Sequence, residues 1–347
     1  LSIMRRLPVY LLLDCSESMA GPGIEELQKG VARLIQELES DPQALETAWL
    51  SIIAFSGKAE VLLPLSEIST FRIPSLDVRT GTSLGGALRL LVKSIKNDLK
   101  RTTSEEKGDL RPLVFLFSDG QPTDSWENAC AELKLLDGMK IANFYAFGCG
   151  IDADLSVLNR ITDIVFTMKD LSPDVWQKLF VWLSASVSAA SIAVGADNED
   201  GIPINLPPDL EQKLERVSPK QSESAPRSRV PNQVFLHALC SREKKPYLMR
   251  FLKHPEKTIY AAAASHPLKE VEEGAESLLP PVNAKDLYGV PPCPYCEAPG
   301  AGACSCGTLF CIDPQNEEVL DAHCPKCGAM GRFGEGGGDL TIQQVQG

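Results

Sequence analysis

Residues 11–21 read LLLDCSESMAG: an apolar run stops on Asp14, and hydroxyls then recur at Ser16 and Ser18. A strand that ends on a carboxylate and two alternating serines admits three readings: a secretion signal, the nucleophile loop of a phosphatase, or half of a metal site. Arg5 and Arg6 ahead of LPVYLLL imitate a signal peptide, but the apolar run reaches only from Leu7 to Leu13, short for the hydrophobic region of one. Leu1 is not a natural first residue, and Met4 is the expected start. No apolar run of roughly eighteen residues occurs, so neither a membrane span nor a membrane partner is expected.

Around this stretch, LPVYLLL, AWLSIIAF, LVFLFSD, IANFYAFG and DIVFT are short apolar runs of the kind that form strands buried on both faces. Between them, Ile24, Leu27, Val31, Leu34, Ile35 and Leu38 keep helical spacing, as do Leu84, Leu88, Leu91, Val92, Ile95 and Leu99. A further helix starts at Ser172 and Pro173 and continues through VWQKLFVWLSASVSAA. The alternation predicts an α/β fold over residues 5–192: a doubly wound, mostly parallel sheet with helices on both faces. Residues 193–230, rich in Pro, Ser and charge, read as a linker. Residues 231–332 carry the strand-like runs VFLHALC, PYLMRF and TIYAAAA and then a cysteine cluster, which predicts a small β-rich module. Residues 333–347, FGEGGGDLTIQQVQG, read as a flexible tail.

In open α/β sheets ligands sit beyond the carboxyl ends of the strands. Asp14, Ser16 and Ser18 follow the first strand, Asp119 in FSDGQPTD follows another, and Thr82 in GTSLGGAL precedes a helix. Three loops thus bring two carboxylates and three hydroxyls towards one point. Hard oxygens without nitrogen or sulfur suit Mg2+, Mn2+ or Ca2+. The phosphatase reading needs a second carboxylate two residues after the nucleophilic Asp, as general acid, and that place is Ser16. His237, His254, His266 and His323 all lie outside the first domain, so no His-based triad is available there. A metal-dependent hydrolase using Asp14 or Asp119 stays as an alternative to a non-catalytic module, as does a metal-independent scaffold.

These residues carry a resemblance. DCSESM, GTSLGGAL and FSDGQPTD resemble the metal-ion-dependent adhesion site of a von Willebrand factor type A domain, at all five positions of its pattern. The resemblance implies a six-stranded sheet with one antiparallel edge strand. It also implies one divalent ion held by Asp14, Ser16, Ser18, Thr82 and Asp119, directly or through water.

Of eleven cysteines, seven fall between Cys293 and Cys327. With no signal peptide a reducing, cytoplasmic compartment is expected, where clustered cysteines favour metal over disulfides. Cys293 and Cys296 form one CxxC pair and Cys324 and Cys327 another, which together predict a tetrahedral zinc site. Cys304, Cys306, Cys311 and His323 could hold a second ion; the alternative is a single-zinc ribbon with some middle cysteines free. Cys15, Cys130, Cys149 and Cys240 read as small apolar residues or free thiols. From residue 290 onward only Lys326 and Arg332 are basic, against seven acidic residues, and the whole chain carries a net charge of −12. No nucleic-acid partner is expected from that balance.

The order of parts, from MRRLPVYLLLDCSESMAG through LFVWLSASVSAAS to a terminal Cys-rich module, is similar to the bacterial tellurite-resistance TerY group with an added C-terminal metal-binding domain. That resemblance implies a cytosolic protein working beside a protein kinase and a PP2C-type phosphatase in stress, tellurite or phage-defence responses. The neutral hydroxyls of the adhesion site imply a protein partner that offers an acidic side chain to the ion.

Overall fold

The computed structural model describes residues 5–70, 72–103, 107–136, 141, 143–192, 206–217, 232–254, 257–269, 271, 281–313, 319–334 and 340–345. Its strands in chain order begin with β1 (Leu7–Asp14), β2 (Ala48–Phe55), β3 (Ala59–Glu67), β4 (Leu113–Ser118), β5 (Asn143–Cys149), β6 (Ile164–Met168) and β7 (Glu215–Val217). Among the described residues these make one seven-stranded sheet in the order β3-β2-β1-β4-β5-β6-β7. The central strands run parallel, while β3 and β7 close the two edges antiparallel.

The helices are α1 (Pro22–Ser40), α2 (Pro42–Thr47), α3 (Leu84–Asp98), α4 (Glu127–Lys134), α5 (Leu155–Ile161), α6 (Pro173–Ile192) and α7 (Pro208–Glu211). Period-two alternation sorts the side chains of each central strand to two buried faces. Tyr10, Leu12, Val114 and Leu116 join the core under α3, α4 and α5. On β4 and β5 the alternate residues are aromatic: Phe117 stacks on Phe147 and on Phe180 of α6, and Tyr145 meets Trp182 edge-on. Burial of both faces explains why these strands read as unbroken apolar runs.

Two expectations change here. The sheet has seven strands rather than six, because Glu215–Val217 pairs with β6 from inside the segment expected to be linker. That segment also contains α7, so residues 208–217 are structured; 193–205 and 218–230 lie outside the described residues.

The remaining strands are β8 (Gln233–Leu239), β9 (Pro246–Lys253), β10 (Tyr260–Pro267), β11 (Val282–Asn283), β12 (Leu287–Tyr288), β13 (Gly300–Ala303), β14 (Leu309–Ile312), β15 (Val319–His323), β16 (Met330–Gly334) and β17 (Thr341–Ile342). Six of them form a sheet ordered β12-β10-β9-β8-β14-β13, and β15 and β16 form a hairpin. Of the expected flexible tail, 335–339 and 346–347 lie outside the described residues; in the rest, Thr341–Ile342 pairs with Val282–Asn283, the Val345 N–H donates to the Phe235 carbonyl at 3.0 Å, and Gln344 is buried.

The chain divides into two compact units. The first comprises residues 1–15, 21–76 and 82–226; the second comprises Ser16–Ala20, Asp77–Gly81 and 227–347. No helix among the described residues is long and apolar enough to cross a membrane.

Candidate metal centres

The order β3-β2-β1-β4-β5-β6 reverses direction between β1 and β4, and the crevice at such a reversal is where open α/β sheets bind ligands. Asp14 is the last residue of β1, and Asp119 immediately follows β4. Both are buried, at 0% and 3% exposure, so neither is the solvated loop-end carboxylate that position alone suggests. The Ser118 hydroxyl donates to Asp14 Oδ2 at 2.6 Å, and the Gln121 N–H donates to Asp119 Oδ1 at 3.0 Å. Burial, then the charges of Asp14 and Asp119, push the Cys149 thiol well above its usual range. One buried thiol therefore feels both carboxylates, which places concentrated negative charge at this end of the sheet.

Thr82 is held by its backbone. Its N–H donates to Thr123 Oγ1 at 2.9 Å, and its carbonyl accepts from the Thr123 N–H at 2.9 Å. Next to it, Asp124 caps α3: its carboxylate accepts from the Ser83 hydroxyl at 2.9 Å and from the Gly85 and Gly86 N–H groups at 2.8 Å each. Gly85 is required here, since a Cβ would stand 2.7 Å from the Trp126 backbone. Thr123 and Asp124 thus bind the loop after β4 to the loop before α3. Sequence reading passed over Asp124, although an acid in the loop after β4 is the residue type that caps a neighbouring helix N-terminus. Asp124→Ala is expected to lower stability by about 1–2 kcal/mol, the usual worth of a cap. The measurement is the denaturant midpoint, and an unchanged midpoint would show that the cap carries no load.

The donors fit a hard cation. Thr82 Oγ1 is buried and has no hydrogen-bond partner, an orphan that ordinarily costs about 1–3 kcal/mol and that a cation would satisfy. Ser16 Oγ and Ser18 Oγ, which follow Asp14 directly along the chain, lie 3.0 Å apart. Adjacent corners of an octahedron with bonds of about 2.1 Å are separated by about 3.0 Å, so the serine pair already has the spacing of neighbouring Mg2+ ligands.

The cysteines form two groups, and they differ from those expected. One is Cys240, Cys293, Cys296 and Cys311; the other is Cys304, Cys306, Cys324 and Cys327; within each, all sulfurs lie within 4.8 Å of one another. The two CxxC pairs therefore belong to different sites. β14 pairs in parallel with β8, Phe310 opposite Leu239, which brings Cys311 beside Cys240. The turn joining β13 to β14 carries Cys304 and Cys306 to the other pair. His323 stands in neither group; its Nδ1 lies 3.3 Å from the Gly328 carbonyl. Cys240, read as a free thiol, is a member of the first group.

A common turn presents three of these cysteines. Cys240, Cys293 and Cys324 each accept at their carbonyl from the N–H four residues on (2.9 Å in each case) and donate their N–H to the carbonyl five residues on. The fourth residue on has positive φ: Lys244 at 58°, Glu297 at 60° and Gly328 at 76°. An L side chain resists that conformation, so Lys244 and Glu297 are held there by the turn's own hydrogen bonds.

The sulfur spacings suit zinc. Cys296 and Cys311 are 3.6 Å apart, Cys304 and Cys327 3.6 Å, and Cys306 and Cys324 3.8 Å. A tetrahedron with Zn–S bonds of about 2.3 Å has edges of about 3.8 Å; a disulfide would need about 2.05 Å. N–H groups of Ser241 and Glu243 point at the sulfurs of Cys311 and Cys240, at 3.2 and 3.3 Å, as they do towards bound thiolates. The Tyr247 hydroxyl is buried without a partner, and burial followed by Cys311, Cys293, Cys240 and Cys296 pushes its pKa up, which places it in reach of that cluster. The clusters differ in exposure. Burial raises the Cys293 thiol to about 12, whereas hydrogen bonding with Thr308 holds exposed Cys306 at about 6.

Comparison with known proteins bears on both regions. Residues 9–177 match the model of the von Willebrand factor type A domain, and residues 231–347 match that of the TerY-C metal binding domain. The uncharacterised protein sll0103 of Synechocystis is 26% identical over 164 residues, 45% of this chain and 36% of that protein, so the chain spans about a third of the length of that curated relative. Among solved structures, the ArnB paralog VWA2 from Sulfolobus acidocaldarius matches with a TM-score of 0.38 and 20% identity, over 51% of this chain and 46% of that one. The conserved hypothetical protein BatB from Bacteroides thetaiotaomicron matches with a TM-score of 0.36 and 18% identity, over 53% of this chain and 98% of that one.

Proposed function

The chain joins a von Willebrand factor type A domain to a TerY-C metal binding domain, and from that premise we propose that it is a non-catalytic, divalent-ion-dependent protein-binding module with a zinc-stabilised C-terminal part. The observation that carries the reading is Thr82 Oγ1, buried and without a hydrogen-bond partner, in a chain whose strand β1 ends on the buried carboxylate Asp14 and whose strand β4 is followed at once by the buried carboxylate Asp119. Asp14, Ser16, Ser18, Thr82 and Asp119 would hold Mg2+, with Mn2+ or Ca2+ as substitutes. Bound there, such an ion would supply a Lewis-acidic position able to take a carboxylate oxygen. Because three of the five donors are neutral, the donor set carries no excess negative charge over the ion and leaves it able to attract a further carboxylate oxygen. The partner is therefore a protein that presents an Asp or Glu side chain.

The two cysteine groups would hold two zinc ions, each with four thiolates and no open position, the pattern of structural sites. Ser16 stands where a phosphatase would need its general acid, which favours binding over hydrolysis. We further propose, from the resemblance in the order of parts, a wider setting in a cytoplasmic stress, tellurite-resistance or phage-defence system with a protein kinase and a PP2C-type phosphatase; the TerY-C match itself speaks for metal binding.

The test is affinity capture followed by mass spectrometry, with Mg2+ and with excess chelator, alongside an assay on a generic phosphomonoester. Chelator-sensitive capture without turnover supports the reading. Chelator-independent capture replaces it with a metal-independent scaffold, and turnover lost in Asp14→Ala replaces it with a hydrolase.

A further inference from the structure

Within the second compact unit, the loop segment Ser16–Ala20 is packed against strands that also build the cysteine core. β8 has two faces. Val234, Leu236, Ala238 and Cys240 join the core that contains Cys293 and Cys311. Phe235, on the opposite face, forms a separate apolar cluster with Ala20, Leu248 and Leu268, with Val78 packed against it. His237 shares that face by period-two alternation, and its Nε2 lies 3.0 Å from Glu17 Oε1. The other Glu17 oxygen accepts from the Gly81 N–H at 2.8 Å. Glu17 is only 1% exposed, and Lys269 pairs with Asp77 at 2.6 Å in the same unit.

Glu17 is the residue between Ser16 and Ser18. A carboxylate is buried this completely only where partners repay its lost hydration, and here those partners are one N–H from the neighbouring loop and one imidazole from β8. Facing a carboxylate, His237 Nε2 must be the protonated, donating nitrogen. Fixing the Glu17 side chain at both oxygens fixes the peptide units on either side of it, which are those that aim the two serine hydroxyls. Ala20, anchored on Phe235, secures the far end of the same short segment.

We propose that Glu17 and His237 are positioning residues of the oxygen-donor metal site: through them β8, whose end carries Cys240, sets the aim of Ser16 and Ser18. The proposal rests on the reading of that site as a divalent-ion site, and it makes the site's affinity depend on the integrity of the cysteine-rich module. Groups that orient metal ligands without touching the metal commonly carry about 10–100-fold in affinity.

The experiment is calorimetric titration of the zinc-loaded full chain with Mn2+ and with Mg2+. It compares the unaltered protein with His237→Ala, His237→Gln, Glu17→Ala and Asp119→Ala, with zinc content and circular dichroism measured for each. His237→Ala and Glu17→Ala are expected to weaken binding about 10-fold or more with zinc content unchanged. His237→Gln, which keeps an N–H donor, is expected to recover most of the loss; a purely structural fastening would show itself instead as lost zinc or an altered circular dichroism spectrum in His237→Ala. Glu17→Ala alters the loop rather than the cysteine-rich sheet, so it decides the matter if His237→Ala loses zinc. If both alanine variants bind within twofold of the unaltered protein while Asp119→Ala does not bind, the positioning role is overturned and the ion site stands. If the unaltered chain binds neither ion, both are overturned.

Discussion

Cys240→Ser is expected to remove one of two zinc ions and to unfold the C-terminal module. The buried group comprises Cys240, Cys293, Cys296 and Cys311, so a serine at 240 leaves three thiolates around the ion. Structural zinc contributes about 10–16 kcal/mol to the folding of small domains, against a net stability of about 5–15 kcal/mol for a typical domain. Losing a sizeable part of that term exceeds what the module's own core can offset, because Cys240, Cys293 and Cys311 are themselves buried members of that core and a stranded thiol would disturb it directly. The variant also separates two groupings. If Cys293 and Cys296 shared an ion with Cys324 and Cys327, Cys240 would be an inert thiol and its replacement nearly silent. His323→Ala is the control: it is expected to keep both ions, since that imidazole stands in neither cluster. Elemental analysis of freshly reduced protein, with a melting curve for each variant, decides it. Two zinc ions retained in Cys240→Ser would overturn the grouping.

What the sequence discloses is what a short window contains. The central strands declare themselves because each is apolar on both faces, and the adhesion-site residues because Asp-x-Ser-x-Ser, Thr and Asp each follow or precede an unmistakable element. β3 is less visible: AEVLLPLSE includes a proline and is largely half-exposed, as an edge strand can be. β7 is three residues long inside a Pro- and Ser-rich stretch, and only pairing with β6 makes it a strand. Cys240 is hidden for a different reason. Its turn, CSREKK, has the backbone of CPYCEA and CPKCGA but carries Glu243 where they carry a second cysteine, so no CxxC spacing announces it. The one available signal is phase: in VFLHALC, Cys240 alternates with Val234, Leu236 and Ala238 and so belongs on their face. The pairing of CxxC motifs is not a local property at all, because it depends on which strand β14 lies against. Glu17 falls in the variable position of its motif, where sequence offers no reason to single it out, and its meaning comes from His237, distant in the chain.

Asp119→Ala and Asp14→Ala are each expected to abolish Mg2+ binding while leaving the first sheet folded. Each removes one of two anionic donors from the proposed set, and the remaining hydroxyls cannot balance the dehydration of Mg2+, which sheds its water reluctantly. The effect on stability has two opposing parts. Without metal, two buried carboxylates near one point repel each other, so deleting either relieves a cost that ion-free protein bears. Against this, Asp14→Ala strands the Ser118 hydroxyl, which donates to Asp14 Oδ2, at a cost of about 1–3 kcal/mol. Asp119→Ala takes away the acceptor of the Gln121 N–H, a backbone group at the start of a loop. Asp119→Ala is therefore expected to melt at or above the unaltered protein when both are metal-free, and Asp14→Ala at or slightly below it. With Mg2+ at 100 times its dissociation constant the unaltered protein gains about 2.7 kcal/mol, and neither variant gains anything. Differential scanning calorimetry with and without Mg2+ reads both parts in one series. A variant that keeps the Mg2+-dependent rise in Tm would show that its carboxylate is not a ligand. A global loss of fold in Asp119→Ala would show that the carboxylate holds the sheet end together rather than an ion.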